Sequence, residues 1–233
     1  MSLFTIADPH LSLGADKPMD IFRGWDNYTE KLKENWLRSV SPDDTVVLPG
    51  DISWAMTLAD TAADFAWLDA LPGTKLIGKG NHDYWWTTMN KMQAFVRERD
   101  FSTIRFLFNN AYRCGDIAVC GTRGWFFDAA GAESEENARI IRREAGRLKM
   151  SIEAALALGG TPVAFLHYPA AADGKVCAEI FAVLKAYEIR RCYFGHIHGE
   201  KSGRYADYTV DGVRFSLISA DFLRFCPKKV EVG

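Results

Sequence analysis

All five histidines of this 233-residue chain sit at the end of a predicted strand, four of them within two residues of a carboxylate, an amide or another histidine. They are His10 in Ala7-Asp8-Pro9-His10, His82 in Gly80-Asn81-His82-Asp83, His167 in Phe165-Leu166-His167-Tyr168, and His196 with His198 in Gly195-His196-Ile197-His198. Gly50-Asp51 adds one more such strand end. No histidine is left over for the surface or the core. Imidazole is the commonest protein metal ligand, and Asp and Asn oxygens suit harder divalent ions. A fold that uses this pattern must bring the ends of these strands to one edge of a sheet. The pattern reads as one site there, a site for two metal ions.

The rest of the chain fits such a fold. Strands are expected at Leu3–Ala7, Thr45–Pro49, Lys75–Lys79, Ile104–Phe108, Ile117–Gly121, Val163–His167 and Cys192–Gly195. A final hairpin joins Tyr208–Val210 to Val213–Ser219 through Asp211-Gly212, a strong two-residue turn signal. Helices are expected near 26–39, 58–70, 88–99, 134–158 and 173–187. The fourth opens near Ser134 with Glu135 and Glu136, stops at Gly159-Gly160, and presents Ile141, Ala145, Leu148, Ile152 and Ala155 on one face. Its Arg139, Arg142, Arg143, Arg147 and Lys149 read as a solvated face interleaved with Glu144 and Glu153, in preference to an anion patch. Strand–helix alternation implies a sheet covered by helices. Hairpins at 104–121 and 208–219 add antiparallel strands, so the α/β (α+β) fold should have mixed sheets. With no repeat or linker-like stretch, one domain over 1–233 is the simplest division.

Composition removes several classes. A formal charge of −2 and a pI near 6.2 give no basic footprint for long nucleic acid. No apolar run approaches a membrane span, and the N-terminus reaches Asp8 too soon for a signal peptide. The five cysteines are odd in number and scattered, without a Cys-x-x-Cys. They read as reduced thiols of a cytoplasmic protein.

Spacing supplies the chemistry. Pro9 pushes Asp8 toward extended geometry, so Asp8 and His10 should point to one side and grip one cation. His196-Ile197-His198 has the same spacing. Glycines before Asp51, Asn81 and His196 permit a sharp turn and a close backbone approach. Singly these signals are weak; their joint order is specific.

The series Asp8-x-His10, Gly50-Asp51, Gly80-Asn81-His82-Asp83, His167 and Gly195-His196-x-His198 resembles the signature of the calcineurin-like metallophosphoesterase superfamily. It spans residues 8 to 198, and the surrounding text is similar to a bacterial subgroup of predicted phosphohydrolases. The resemblance implies two mixed sheets packed face to face with helices outside, a four-layer sandwich. It implies that Asp8, His10, Asp51 and His198 hold one metal, and that Asp51 bridges to a second held by Asn81, His167 and His196. His82 would be the unliganded catalytic histidine, oriented by Asp83. Two features depart from the pattern: Trp54 stands where many members carry a second acid, and Ala55 where an arginine is frequent.

Two divalent ions with the Asp8 and Asp51 carboxylates would leave the site at about +2, which calls for an anionic substrate. The cofactor expectation is two divalent or trivalent ions, with Mn, Fe, Zn and Co all compatible with the ligand types. The expected reaction is hydrolysis of a phosphate mono- or diester of a small molecule by a metal-bridging hydroxide. Arg123, at a strand end, is a candidate phosphate contact, with Asn81 beside it and Lys79 weaker. Tyr84, Trp85, Trp86, Trp125, Phe126 and Phe127 are expected to anchor loops rather than to stack on a base. The alternatives are a nuclease or cyclic-nucleotide phosphodiesterase on the same site, or a non-catalytic scaffold. The complete ligand set with His82 disfavours the last.

Overall fold

The computed structural model describes residues 1–125, 134–200 and 202–231. In chain order the elements are β1 (Leu3–Thr5), α1 (Tyr28–Ser39), β2 (Thr45–Leu48), α2 (Ala62–Asp69), β3 (Thr74–Ile77), α3 (Met89–Glu98) and β4 (Ile104–Phe106). There follow β5 (Tyr112–Cys114), β6 (Ile117–Thr122), α4 (Glu135–Leu158), β7 (Thr161–Leu166), β8 (Ala171–Ala172), β9 (Lys175–Val176), α5 (Ala178–Ala186) and β10 (Arg191–Phe194). The last are β11 (Asp207–Val210), β12 (Val213–Leu217) and β13 (Lys228–Lys229).

Two large mixed sheets result, ordered β13-β1-β2-β3-β4 and β11-β12-β10-β7-β6-β5. The first is parallel except for β13 against β1, and the second is parallel except at its two outer pairs. The sheets pack face to face through Leu3, Val47 and Leu76 of the first and Val119, Val163, Phe165 and Tyr193 of the second. On the outer side of the first sheet, Leu32 and Trp36 of α1, Phe65 and Leu68 of α2 and Met92 and Phe95 of α3 close a core with Val46 and Leu48. On the outer side of the second, Leu148 and Ile152 of α4 and Ile180 and Leu184 of α5 cover Ala164, Leu166 and Phe194. Helix α4 behaves as its sequence implies, with the Ser134 hydroxyl accepting the Asn137 N–H at its start. The five cysteines are free thiols. Burial pushes Cys120 up to about 12, so it acts as a small hydrophobe of the core. No helix among the described residues is long and apolar enough to cross a membrane.

Four expectations are corrected. Residues 104–121 are not one hairpin. β4 pairs parallel with β3, and the chain then changes sheets before the β5–β6 hairpin. Asn110 makes that corner by accepting from Phe108 N and donating to the Phe106 carbonyl. The fifth helix starts at Ala178, because Asp173-Gly174, both at positive φ, turns the small β8–β9 hairpin first. This is the same dipeptide signal that correctly marks Asp211-Gly212, where both φ values are also positive. Third, Glu144 is not on a solvated face. It is fully buried, accepts from the Thr122 hydroxyl at 2.6 Å and Arg147 at 2.6 Å, and lies 3.9 Å from Arg123. Arg139 and Arg142 are exposed as expected. Fourth, the first strand ends at Thr5 and its continuation does not stay extended: Asp8 has φ +57° and His10 φ +46°.

Candidate metal centre

The end of β1 is where the two sheets meet. Ile6 N–H donates to Val47 O of the first sheet, and Ala7 N–H donates to Ile218 O beyond β12 of the second. Asp8 therefore emerges between the sheets, at the carboxyl ends of β1, β2, β3, β7 and β10, where ligands of open α/β sheets bind. Backbone pairing continues into the loops: Asp8 N–H to Gly50 O, His10 N–H to Asp51 O, and Gly195 N–H to His167 O. The positive φ of Asp8, His10, Asp51 and His196 folds these ends inward. Left-handed turns, and not a pleat, thus bring Asp8 and His10 together. Close approach fixes two glycines. A Cβ on Gly80 would lie 2.0 Å from Asp51 Oδ1, and one on Gly195 would lie 2.3 Å from Asp8 Oδ2.

Two clusters of ligand atoms form. Asp8, His10 and His198 make one, and Asp51, His167 and His196 the other; within each, the atoms lie within 4.8 Å of one another. Asn81 joins the second, its Oδ1 2.6 Å from His167 Nε2. Asp51 lies between the two, with Oδ2 3.7 Å from His10 Nε2 and 3.5 Å from His167 Nε2. Asp8 Oδ1 is 3.5 Å from His167 Nδ1 and 3.8 Å from His198 Nε2. The histidines of Gly195-His196-Ile197-His198 therefore divide, one to each cluster.

The electrostatics suit cations. Burial pushes the Asp8 carboxyl up to about 6, and burial with the Asp83 and Asp8 charges pushes Asp51 up to about 9. Among the described residues, the ion pairs of Asp8 and Asp51 are with histidines only, with no Lys or Arg. Burial in turn holds His10 and His167 well below the ordinary imidazole range and lowers His196 to about 4. Neutral imidazoles around buried carboxylates are the ligand forms a metal ion requires. The buried Nδ1 atoms of His10 and His167 have no hydrogen-bond partner. The donor set fits two metal ions.

Asp221 is not singled out by the sequence. It follows Ser219-Ala220 after β12, and its Oδ1 lies 2.8 Å from His198 Nδ1 while Oδ2 accepts Gly199 N–H. Burial alone would lower the His198 pKa, but the Asp221 hydrogen bond and the Asp8 and Asp221 charges raise it. A carboxylate behind a ligand histidine fixes its tautomer and raises its basicity. Asp221→Ala is expected to weaken metal binding about 10- to 100-fold, read by calorimetric titration of the apoprotein. Wild-type affinity would remove this role. A carboxylate some twenty residues from His198 carries no local signal that points to it.

Asp83 does not orient His82. Its buried carboxylate accepts from Asp51 N at 2.9 Å, Ile52 N at 2.8 Å, Ser53 N at 3.4 Å, Gly80 N at 2.7 Å and the Trp85 indole at 2.9 Å. His82 Nδ1 is buried without a partner. His82 itself sits beside the first cluster, 5.7 Å from His10 between ring centroids, and donates its backbone N–H to Asp51 Oδ1 at 2.8 Å.

Arg123 reaches the site through its main chain, since its carbonyl accepts the N–H groups of His167 and Tyr168. Its guanidinium stacks over Trp125 at 4.9 Å and faces the buried Glu144, and its Nε has no partner. Lys79, half-buried near Arg123 and Arg147, has its pKa lowered chiefly by burial. Trp85 and Trp86 anchor their loop as expected: Trp85 is buried edge-on to Phe65, and Trp86 packs on Phe106. Tyr84 stays exposed at the edge of His82. Phe126 and Phe127 lie outside the described residues.

Comparison with known proteins agrees with this fold. The family model described as calcineurin-like phosphoesterase matches residues 1–200. A search of curated proteins found no match. Similar solved structures include TT1561 of Thermus thermophilus (14% identity, 99% of this chain and 98% of that one, TM-score 0.56). Another is the phosphopantetheinyl hydrolase of Mycobacterium tuberculosis (16% identity, 100% and 96%, TM-score 0.54). A third is AQ665 of Aquifex aeolicus, a protein of unknown function (14%, 98% and 95%, TM-score 0.52). At these identities they share the fold.

Proposed function

The chain belongs to the calcineurin-like phosphoesterase family, and from that premise we propose that it is a dinuclear metal-dependent phosphohydrolase acting on a phosphate mono- or diester of a small molecule. The observation that carries the reading is the pair of ligand clusters joined at Asp51, with an unliganded histidine, His82, at their edge. Asp8, His10, His198 and Asp51 would hold one ion, and Asp51, Asn81, His167 and His196 the other. Paired ions, when bound, supply Lewis acidity toward a phosphoryl oxygen and acidify a water.

The remaining work falls to the chain. The buried carboxylates leave a filled site with net positive charge, which draws an anionic ester. Asp51 keeps both halves in one frame, because its backbone N–H is tied to Asp83 and its Oδ1 to the His82 N–H. Asp221 holds the His198 ring. His82 hydrogen-bonds the departing oxygen. Arg123 holds the His167 loop, because its carbonyl accepts the His167 and Tyr168 N–H groups. A neighbour on the same fold is named a phosphopantetheinyl hydrolase, which supports hydrolysis as a use of this scaffold.

The test is a panel of phosphate mono- and diesters given to protein loaded with Mn, Fe or Zn. Turnover is expected only with metal, lost on chelation and restored on reloading. His82→Asn should lower it by about 10²- to 10⁴-fold while metal content is retained. Unchanged turnover in that variant would remove His82 from the reaction. Absence of metal-dependent turnover on every ester would overturn the reading.

A further inference from the structure

Beside the first cluster lies a cavity of about 350 Å³, walled by Met19, Phe22, Trp25 and Trp54 and floored by His10, His82 and His198. Resting on the phosphohydrolase reading, we propose that this cavity is the leaving-group pocket, and that the substrate is a phosphate ester of a compact aromatic alcohol.

Three observations carry this. The first is continuity. Trp54 stacks on His10 at 4.9 Å with an interplanar angle of 18° and tilts onto His82 at 4.5 Å. The wall therefore begins at the ring that serves the departing oxygen, and the body attached to that oxygen must enter here. Trp54 occupies the position where many family members carry an acid, so the departure from the pattern is the pocket wall itself.

The second is charge. A diphosphate or a sugar phosphate would need fixed cations or polar side chains along this wall. Among the described residues, the two cations near it are exposed and engaged, Arg23 with Glu200 at 2.8 Å and Lys17 over the Trp54 ring at 4.7 Å. The indole N–H of Trp54 is turned to Met19 Sδ at 3.1 Å, which leaves the wall apolar.

The third is exposed apolar surface. Leu13 (47%), Ile21 (72%) and Phe22 (49%) stand open to solvent on the one segment, 11–27, that forms the outer wall. Of these three, Phe22 lines the cavity itself, so a half-exposed aromatic ring faces the ligand space. The volume admits a compact ring. About 350 Å³ is at the small end of ligand pockets, near 300–1,000 Å³. Two indoles in the wall favour a flat ring over a chain.

Aryl esters are intrinsically easier to cleave than alkyl esters, so binding is the cleaner test. Naphthylmethylphosphonate, hexylphosphonate and methylphosphonate are titrated calorimetrically into the metal-loaded protein. The naphthyl compound should bind at least about tenfold more tightly than either other one. The preference should fall toward unity in Phe22→Ser, whose side chain is half exposed, and in Trp54→Leu. Equal binding of all three to the wild type overturns the proposal, as does a preference that survives in both variants. Hexyl binding equal to naphthyl overturns the aromatic assignment. Ester turnover without a naphthyl preference removes the pocket alone. A naphthyl preference without turnover on any ester removes the phosphohydrolase reading, and with it the leaving-group assignment.

Discussion

An Asp51→Asn protein is expected to lose metal and activity together, with affinity for the ion pair down by more than about 100-fold. An outer partner of a ligand is worth about 10- to 100-fold, and Asp51 is not an outer partner. Its Oδ2 lies 3.7 Å from His10 Nε2 of one cluster and 3.5 Å from His167 Nε2 of the other. Among the described residues, no other carboxylate pairs with both of those rings. Asparagine keeps the shape and can still accept the His82 N–H at Oδ1, so the loop should remain folded. What disappears is one negative charge and one shared donor. The same substitution should stabilise the metal-free chain, because without an ion Asp51 is a buried carboxylate near Asp83 and Asp8 whose ion pairs, among the described residues, include no Lys or Arg. Metal analysis with thermal melts of loaded and stripped protein reads both effects. Two ions at full occupancy in Asp51→Asn would show that the bridge is assigned to the wrong residue.

The layered fold was legible because its periodicities are local. Alternating apolar runs and amphipathic segments are each complete within a dozen residues, and α4 carries its own cap, face and stop. The gathering of donor side chains into two clusters was legible for a different reason: a metal site demands unusual residue types at strand ends, and those types are few. What the sequence did not disclose lies in pairings over long distances. Asp221 stands behind His198 only because β12 runs parallel beside β10. Glu144 is buried only because Thr122, Arg123 and Arg147 close over it. β4 reads as part of a hairpin because its short apolar run is indifferent to which sheet accepts it. The extended reading of Asp8-Pro9-His10 fails because proline restricts its predecessor only statistically. Here the Asp8 N–H bond to Gly50 O and the fit of Gly195 against the Asp8 carboxylate hold the left-handed turn.

Asp83 is expected to be the most destabilising side chain of the centre to remove, although it contributes no atom to either ligand cluster. Four backbone N–H groups, from Asp51, Ile52, Ser53 and Gly80, and the Trp85 indole all end on its two buried oxygens. An unmade buried hydrogen bond costs about 1–3 kcal/mol. These five share one acceptor and cannot be summed, so a loss of about 4 kcal/mol is expected for Asp83→Ala. In a chain of this size that is about 8–16 °C in Tm. Asp83→Asn keeps one oxygen but turns an N–H₂ toward N–H donors, and about half that effect should follow. The contrast with His82 separates the two roles. A residue that merely oriented His82 would, when replaced by Asn, copy His82→Asn, with turnover lost and Tm unchanged. A residue that ties the Asp51 loop to the Gly80 loop should lower Tm and weaken metal binding together, because the bridging carboxylate rides on the first loop and Asn81 on the second. Thermal and urea unfolding of Asp83→Asn beside His82→Asn, each with and without metal, decides between them. A melting temperature for Asp83→Asn within about 2 °C of wild type would mean that these bonds contribute under about 1 kcal/mol, and the positioning role would fall.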